Sequence, residues 1–266
     1  MPPSPPANIL LIFAFSAGLA GLAGADMARI EGGSYIRPLE RNPQPRTVAS
    51  FLLDRRQVTN AEFLAFLKTN PDWQRSRINS LFADDAYLRH WQGELDPGPA
   101  APPESPVTNV SWFAARAFLR TQGKRLPTTD EWEFAARASA TKADASSDPS
   151  FKKTILEWYS QPSPEVLPSV TTGQANIHGI QGLHGLIWEW TSDFNSALAT
   201  GESRADGSPN AGLFCGGAGL NTNSATEYAD FMRFAMRSSL RGNYCLPNLG
   251  FRGARVSTSN PTTPNP

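Results

Sequence analysis

The pattern of apolar and polar residues predicts short strands and short helices joined by much irregular chain. MARIEGGSYIRPL alternates apolar and polar residues around Gly32 and Gly33, which indicates a strand with a tight bend or bulge. A strand is predicted at Phe51–Asp54 and a helix at about Asn60–Lys68. Thr59 and Glu62 stand at the spacing of a capping box, so they predict where this helix begins.

A second block, PVTNVSWFAARAFLRTQGKRLPTTDEWEFAARAS, predicts two more helices. Ser111 can cap the first and Gly123 can end it in a left-handed conformation. Thr128 and Glu131 form another capping box at the start of the second. Three charged residues of that helix are predicted to form structural ion pairs rather than to carry chemistry: Glu131, Glu133 and Arg137.

The N-terminal residues have the pattern of a secretory signal. Ile9–Ala23 is apolar and uncharged, and small residues precede Asp26. We therefore predict a signal peptide over residues 1–25, a mature domain over 26–257 and a disordered tail over 258–266. The alternative, an uncleaved anchor, needs about 20 apolar residues, more than this run contains. The predicted location is the periplasm, without membrane attachment after signal cleavage.

Composition points to a small partner. The chain has 24 basic and 24 acidic residues and no long run of either sign, which argues against nucleic acid and anionic membranes. A small-molecule or peptide-derived substrate is the expected partner. The three histidines are predicted to be structural, because their spacing is not that of a metal-binding motif: His90, His178 and His184.

The chain contains two cysteines, Cys215 and Cys245. Two cysteines in an exported chain favour a disulfide, and closing a loop of this length contributes roughly 3 to 4 kcal/mol in the chain-entropy model. A metal-binding or redox pair is the alternative.

Several ordered motifs resemble those of the formylglycine-generating enzyme, or sulfatase-modifying factor, family. CGG, RFAMRSS and NLGFR follow one another near the C-terminus, and the second helical block matches the family almost residue for residue. The resemblance implies a single α/β domain of the C-type-lectin-like kind. It covers essentially the whole mature chain.

One departure from the family bears directly on chemistry. Active members carry a C-x4-C pair whose thiolates bind copper(I), and those positions are Ala229 and Phe234 here. Neither side chain can bind a metal, so copper is not expected, and the chain is not predicted to be a true formylglycine-generating enzyme.

A turn that binds calcium in many members is also altered. The resemblance places possible ligands at Gly185, Ile187 and Glu189, but Gly182 stands where the family has Asn or Asp. Calcium requires several oxygen ligands at once, so its retention is left open.

Within the family, the chain is most similar to an exported, cysteine-lacking branch that includes pyoverdine-maturation and nitrite-reductase accessory proteins. The first likeness implies oxidation of a dihydropyoverdine-type precursor. The second implies a non-catalytic accessory role for a metalloenzyme such as copper nitrite reductase.

For the oxidation, Glu227 is the candidate base, because it lies two residues before Ala229 in the family's reaction centre. The alternative is a solvated surface glutamate or one paired with Arg233. Asp230 is also near in sequence, but helical or strand alternation can direct it elsewhere. Tyr228 is the candidate to assist it. The candidate substrate-binding residues are Arg233, Arg237 and Trp188. Arg237 and Arg252 are further predicted to fasten the C-terminal segment to the core.

Overall fold

Small sheets hold together the described part of the chain. The structure is a computed structural model and describes residues 27–38, 44–196 and 225–257. An antiparallel sheet in the order β1-β4-β7 joins the two ends of the domain, a two-stranded antiparallel sheet pairs β2 with β3, and β5 pairs with β6 in parallel. The strands are β1 (Met27–Ile30), β2 (Gly33–Ile36), β3 (Pro45–Val48), β4 (Phe51–Asp54), β5 (Trp188–Glu189), β6 (Leu249–Gly250) and β7 (Ala254–Val256).

Where the sequence predicts one strand with a tight bend or bulge, the chain forms two strands that are separated at Glu31 and Gly32. The chain leaves β1, which pairs with β4, and enters β2, which pairs with β3. A Cβ atom at Gly32 would lie 2.3 Å from the carbonyl oxygen of Val48, so only glycine fits this crossing.

Five helices lie within the described ranges. They are α1 (Asn60–Thr69), α2 (Trp112–Thr121), α3 (Thr129–Ala136), α4 (Pro149–Ser160) and α5 (Ala225–Ser239). Short 3-10 turns occur at Pro71–Trp73 and Phe194–Ser196. No helix in these ranges is long and apolar enough to cross a membrane.

The predicted capping interactions are confirmed. Both capping boxes form, at the starts of α1 and α3. The Ser111 side chain accepts a hydrogen bond from the backbone N–H of Ala114 at 3.1 Å and starts α2. Gly123 follows α2 with φ of +63°, the left-handed conformation that the sequence predicts.

Helices α4 and α5 were not predicted. Asp148 caps α4, where its carboxylate accepts from the backbone N–H of Ser150 at 3.0 Å, and Pro149 occupies the first turn. This cap and proline are the sequence signal that marks the start of α4. Helix α4 packs against α5.

Two apolar cores support the elements. The larger core contains α1 and α2, where Phe63 and Phe118 stack with ring centroids 5.7 Å apart, and it includes the fully buried Trp190. The smaller core lies under the three-stranded sheet, with Leu53 and Trp132 among its buried residues. These cores fix the positions of α3 and β5, which carry the charged residues of the site.

Candidate functional site

A cavity of about 560 Å³ is lined by residues of β2, α3, α4 and α5. Its apolar wall includes Tyr35, Ile36, Phe151 and Ile155, and Ala229 of α5 also lines it. This volume is within the range of pockets that hold small organic molecules.

Glu133 at the cavity wall is held by two buried arginines. Its carboxylate accepts from Arg233 at 3.0 Å and from Arg237 at 2.6 Å, and all three side chains are at most 7% exposed. Burial raises the pKa of Glu133, but the two guanidinium groups outweigh burial and hold the pKa at about 2. Glu133 therefore remains a carboxylate and orients Arg233 at the cavity.

Asp230 is a second acid in the cavity wall. It pairs with Arg233, one turn along α5, and keeps 20% of its side-chain surface exposed. Burial raises its pKa, Arg233 lowers it, and the nearby charge of Glu133 raises it again, with a net upward shift. A carboxylate of raised pKa at a cavity wall can accept a proton from a bound molecule.

The predicted substrate-binding residues separate into two groups. Arg233 lines the cavity, whereas Arg237 and Trp188 are not among its described lining residues. The Arg237 guanidinium lies 4.6 Å from the ring centroid of Trp132 and binds Glu133. Trp188 stacks on Tyr159, with centroids 5.1 Å apart, and thereby supports α4 from outside the cavity.

The predicted catalytic residues lie at the start of α5. Tyr228 is 44% exposed. Glu227 belongs to α5, but its side chain is outside the described part of the structure. Its role therefore stays a prediction. Asp230, the other acid of this segment, lines the cavity because α5 directs it there.

Glu189 and Arg252 form a fully buried ion pair at the β5–β6 sheet, with side-chain exposures of 0% for both. Arg252 donates to both carboxylate oxygens, at 2.8 and 2.7 Å. Gln57 and Trp132 donate to the same carboxylate, at 2.7 and 3.0 Å. These four N–H donors use the acceptor capacity of the two oxygens.

Gln57 also fills the space beside Gly182. Its side-chain nitrogen donates to the Gly182 carbonyl oxygen at 2.7 Å, and a Cβ atom at Gly182 would lie 2.9 Å from that nitrogen. Gln57 is 125 residues from Gly182, and no local sequence signal marks it as a partner of this turn.

Calcium does not fit these residues. The arginine already supplies the positive charge at Glu189, and its carboxylate oxygens are occupied by N–H donors. Of the other predicted ligands, Ile187 is 1% exposed and Gly185 has a positive φ of +96°. No group of three or more His, Cys, Asp or Glu in the described ranges is arranged to hold a metal.

Comparison with known families decides the assignment. The model of the sulfatase-modifying factor enzyme 1-like domain matches residues 19–257. The chain belongs to this family. The resemblance and the single-domain mixed α and β fold predicted from the sequence are thus confirmed.

Relatives in this family differ in their described activities. The formylglycine-generating enzyme of Streptomyces coelicolor is 31% identical over 89% of this chain and 88% of its own length. The serine/threonine-protein kinase pkn1 of Chlamydia caviae is 28% identical over 71% of this chain, which spans only 32% of that kinase. The hercynine oxygenase of Mycolicibacterium smegmatis is 27% identical over 66% of this chain and 47% of its own length.

Solved structures share the fold. PvdO from Pseudomonas aeruginosa has a TM-score of 0.50 at 17% identity, covering 87% of this chain and 94% of PvdO. CarF has a TM-score of 0.51 at 16% identity, covering 89% of this chain and 100% of CarF.

The copper site of active members does not fit this sulfatase-modifying factor-like chain. Ala229 and Phe234, at the thiolate positions, are 3% and 1% exposed and offer no donor atom. Ala229 lines the cavity, so the position of one missing thiol faces the candidate binding space.

A sulfatase-type peptide is therefore expected to keep its cysteine when incubated with this chain, oxygen and copper(I). The physical reason is the absence of sulfur ligands at positions 229 and 234. Mass spectrometry of the peptide detects an aldehyde if one forms. The formylglycine-generating enzyme of Streptomyces coelicolor serves as the positive control, and aldehyde production by the present chain would contradict the expectation.

The predicted disulfide stays a prediction. Cys245 is 1% exposed, and burial raises the pKa of its thiol. Cys215 lies outside the described residues.

His184 lines both this cavity and a neighbouring, more polar pocket. Its Nε2 lies 3.0 Å from the carbonyl oxygen of Ala136, while Trp132 and Phe151 approach its ring edge-on, each with centroids 5.7 Å away. Burial, with a further contribution from the charge of Arg233, lowers the His184 pKa to about 4. The ring is neutral in the folded protein at neutral pH.

Acidification is therefore expected to destabilise the fold through His184. Below its unfolded pKa of about 6.5, the unfolded chain binds a proton that the folded site excludes. The free energy of unfolding then falls by up to about 1.4 kcal/mol per pH unit until the pH reaches the folded pKa of about 4. His184→Gln, which does not titrate, should flatten this part of a pH series of urea titrations. Parallel pH dependences for the two proteins would contradict the assignment.

Proposed function

We propose that this protein is a periplasmic maturation enzyme that oxidises a small ring-containing precursor, such as a dihydropyoverdine-type siderophore chromophore, without a copper–thiolate centre. The observation that carries the proposal is the cavity beside Ala229. The position of a family thiolate faces an apolar space of about 560 Å³ that also has a charged wall.

The wall combines two properties that such a substrate needs. Tyr35, Phe151 and Ile155 offer apolar surface to a ring. Arg233, fixed by Glu133, offers a guanidinium to an anionic or carbonyl oxygen of the substrate. A flat, partly polar molecule would therefore be held in a defined orientation.

The reaction is a two-electron oxidation with dioxygen as the oxidant. The reduced ring loses two electrons and two protons and gains a double bond, while dioxygen takes up both electrons and both protons and leaves as hydrogen peroxide. A carboxylate of α5 accepts the first proton and makes the ring more electron-rich. Glu227 is the proposed base, and Tyr228 assists it from the neighbouring position.

The experiment is an oxidation assay with a reduced chromophore precursor in air-saturated buffer. We expect the visible absorbance of the oxidised chromophore to rise faster than in a protein-free blank, with one dioxygen consumed and one peroxide formed per product. Metal analysis of the same preparation tests the absence of copper.

A rate equal to the blank would overturn the oxidation proposal. The accessory role beside a periplasmic metalloenzyme would then be tested by measuring copper loading of nitrite reductase in cells with and without this chain. Export has a separate test, because signal cleavage predicts a mature N-terminus at Asp26 in the periplasmic fraction.

A further inference from the structure

A second cavity, of about 470 Å³, has a strongly basic wall. It is lined by Trp112, Arg116, Arg120, Lys124 and Arg125, together with Leu126 and Ser192, and it shares no described lining residue with the first cavity. None of these described lining residues is acidic, although the chain as a whole has a formal charge of zero.

Two of the four cations are neutralised and fixed in place. Lys124 pairs with Asp54 at 2.6 Å, and Arg125 binds both carboxylate oxygens of Glu131, each at 2.6 Å. These pairs make a rigid wall. The other two cations of the wall are Arg116 and Arg120, both on α2.

Arg116 and Arg120 have no acidic partner within the described ranges. The Arg116 guanidinium lies 4.2 Å from the ring centroid of Trp112, and this stacking holds it while leaving its N–H edge available. The two arginines are four residues apart and therefore neighbours on the helix surface, where like charges repel and destabilise the helix. The sequence of α2, WFAARAFLRT, contains no acid to relieve this repulsion.

The nearest acid along the chain is already engaged. Asp193 follows Ser192 and accepts hydrogen bonds from the backbone N–H of Thr129 at 2.7 Å and from its hydroxyl at 2.9 Å. The end of α2 carries another cation, because Arg255 donates to the carbonyl oxygen of Gly123 at 3.1 Å. The surroundings therefore favour an anion at Arg116 and Arg120.

We propose that the second cavity binds a small organic anion with two phosphate or carboxylate groups, one at each unpaired guanidinium. Paired guanidinium groups at neighbouring helix positions match two linked anionic groups, and the cavity has room for an attached organic body. This site is independent of the proposed oxidation, since it lies on different residues.

Isothermal titration of the full mature chain with pyrophosphate and with citrate at low salt tests the proposal. We expect saturable binding of at least one probe with a stoichiometry of one, weakened by added salt because exposed charges are screened. Arg116→Gln combined with Arg120→Gln should weaken it at least about tenfold, since two charge-assisted hydrogen-bonding groups are lost. Preference for pyrophosphate or citrate identifies the anionic group.

Arg89→Gln is the matched control, because Arg89 is another exposed arginine, remote in sequence from this cavity. It should bind as the wild type does. Arg120→Gln alone changes only an exposed side chain, and it should weaken probe binding less than the double variant does. Circular dichroism checks that this variant is folded. The proposal is overturned if neither probe binds the wild type, if the double variant keeps wild-type affinity, or if Arg89→Gln weakens binding equally.

Discussion

Arg252→Met is expected to lower the free energy of unfolding by roughly 3 to 5 kcal/mol, because it leaves the Glu189 carboxylate buried without its cation. Arg252 also donates to the carbonyl oxygens of Asp54 at 3.2 Å and Gln181 at 2.8 Å. One guanidinium therefore joins β4, the turn before β5, and β5 itself. Chemical denaturation measures the loss.

Arg252→Lys tests the geometry separately from the charge. A lysine keeps the positive charge but cannot span the two oxygens of Glu189 and both carbonyl groups at once. We expect its melting temperature to fall by at least about 4 °C, the shift that corresponds to 1 to 2 kcal/mol in a domain of this size. Arg89→Lys, at an exposed position, is the control and should stay within about 0.5 kcal/mol of the wild type.

A double variant separates the pair from its surroundings. Arg252→Met with Glu189→Gln removes both charges, so it should be less destabilised than Arg252→Met alone. An Arg252→Lys protein that melts with the wild type would show that the guanidinium does not hold these elements, and a ligand role for Arg252 would then be favoured.

The elements that the sequence predicted are those determined by neighbouring residues. Thr59 with Glu62, and Thr128 with Glu131, begin helices through contacts three residues apart, which a sequence displays directly. Helix α4 has a comparable local signal, in the Asp148 cap and in Pro149 of its first turn.

The charged site could be predicted only in part, because its pairs join distant positions. Arg237 was expected to fasten the C-terminal segment, and it does bind the buried Glu133, 104 residues away. The sequence identified Glu133 as a structural ion-pairing residue but did not identify its partners. The contact between Gln57 and Glu189 spans 132 residues and has no local signal at all.

Asp230 shows why side-chain direction needed the structure. The segment around it carried no decisive periodicity, so helix and strand placed the same carboxylate on different sides. Helix α5 brings Ala229, Asp230 and Arg233 to the cavity wall. A second acid therefore competes with Glu227 for the role of base in the proposed oxidation.

Glu227→Gln is expected to lower turnover of the reduced precursor by about 10²- to 10⁴-fold without unfolding the protein, because a general base contributes a factor of this size. The expectation rests on the proposed function and is measured as kcat in the absorbance assay. Tyr228→Phe, which removes only an assisting hydroxyl, should have a smaller effect. Circular dichroism and a melting curve confirm that each variant is folded.

Asp230→Asn is the variant that decides between the two carboxylates. Arg233 pairs with both Asp230 and Glu133. Removing the Asp230 charge should therefore chiefly alter the position of Arg233 and raise KM. If Glu227 is the base, Glu227→Gln loses kcat while Asp230→Asn retains most of it. A Glu227→Gln protein that keeps more than about a tenth of wild-type activity excludes Glu227. Loss of kcat in Asp230→Asn would then transfer the role to Asp230, whose raised pKa suits it to accept a proton.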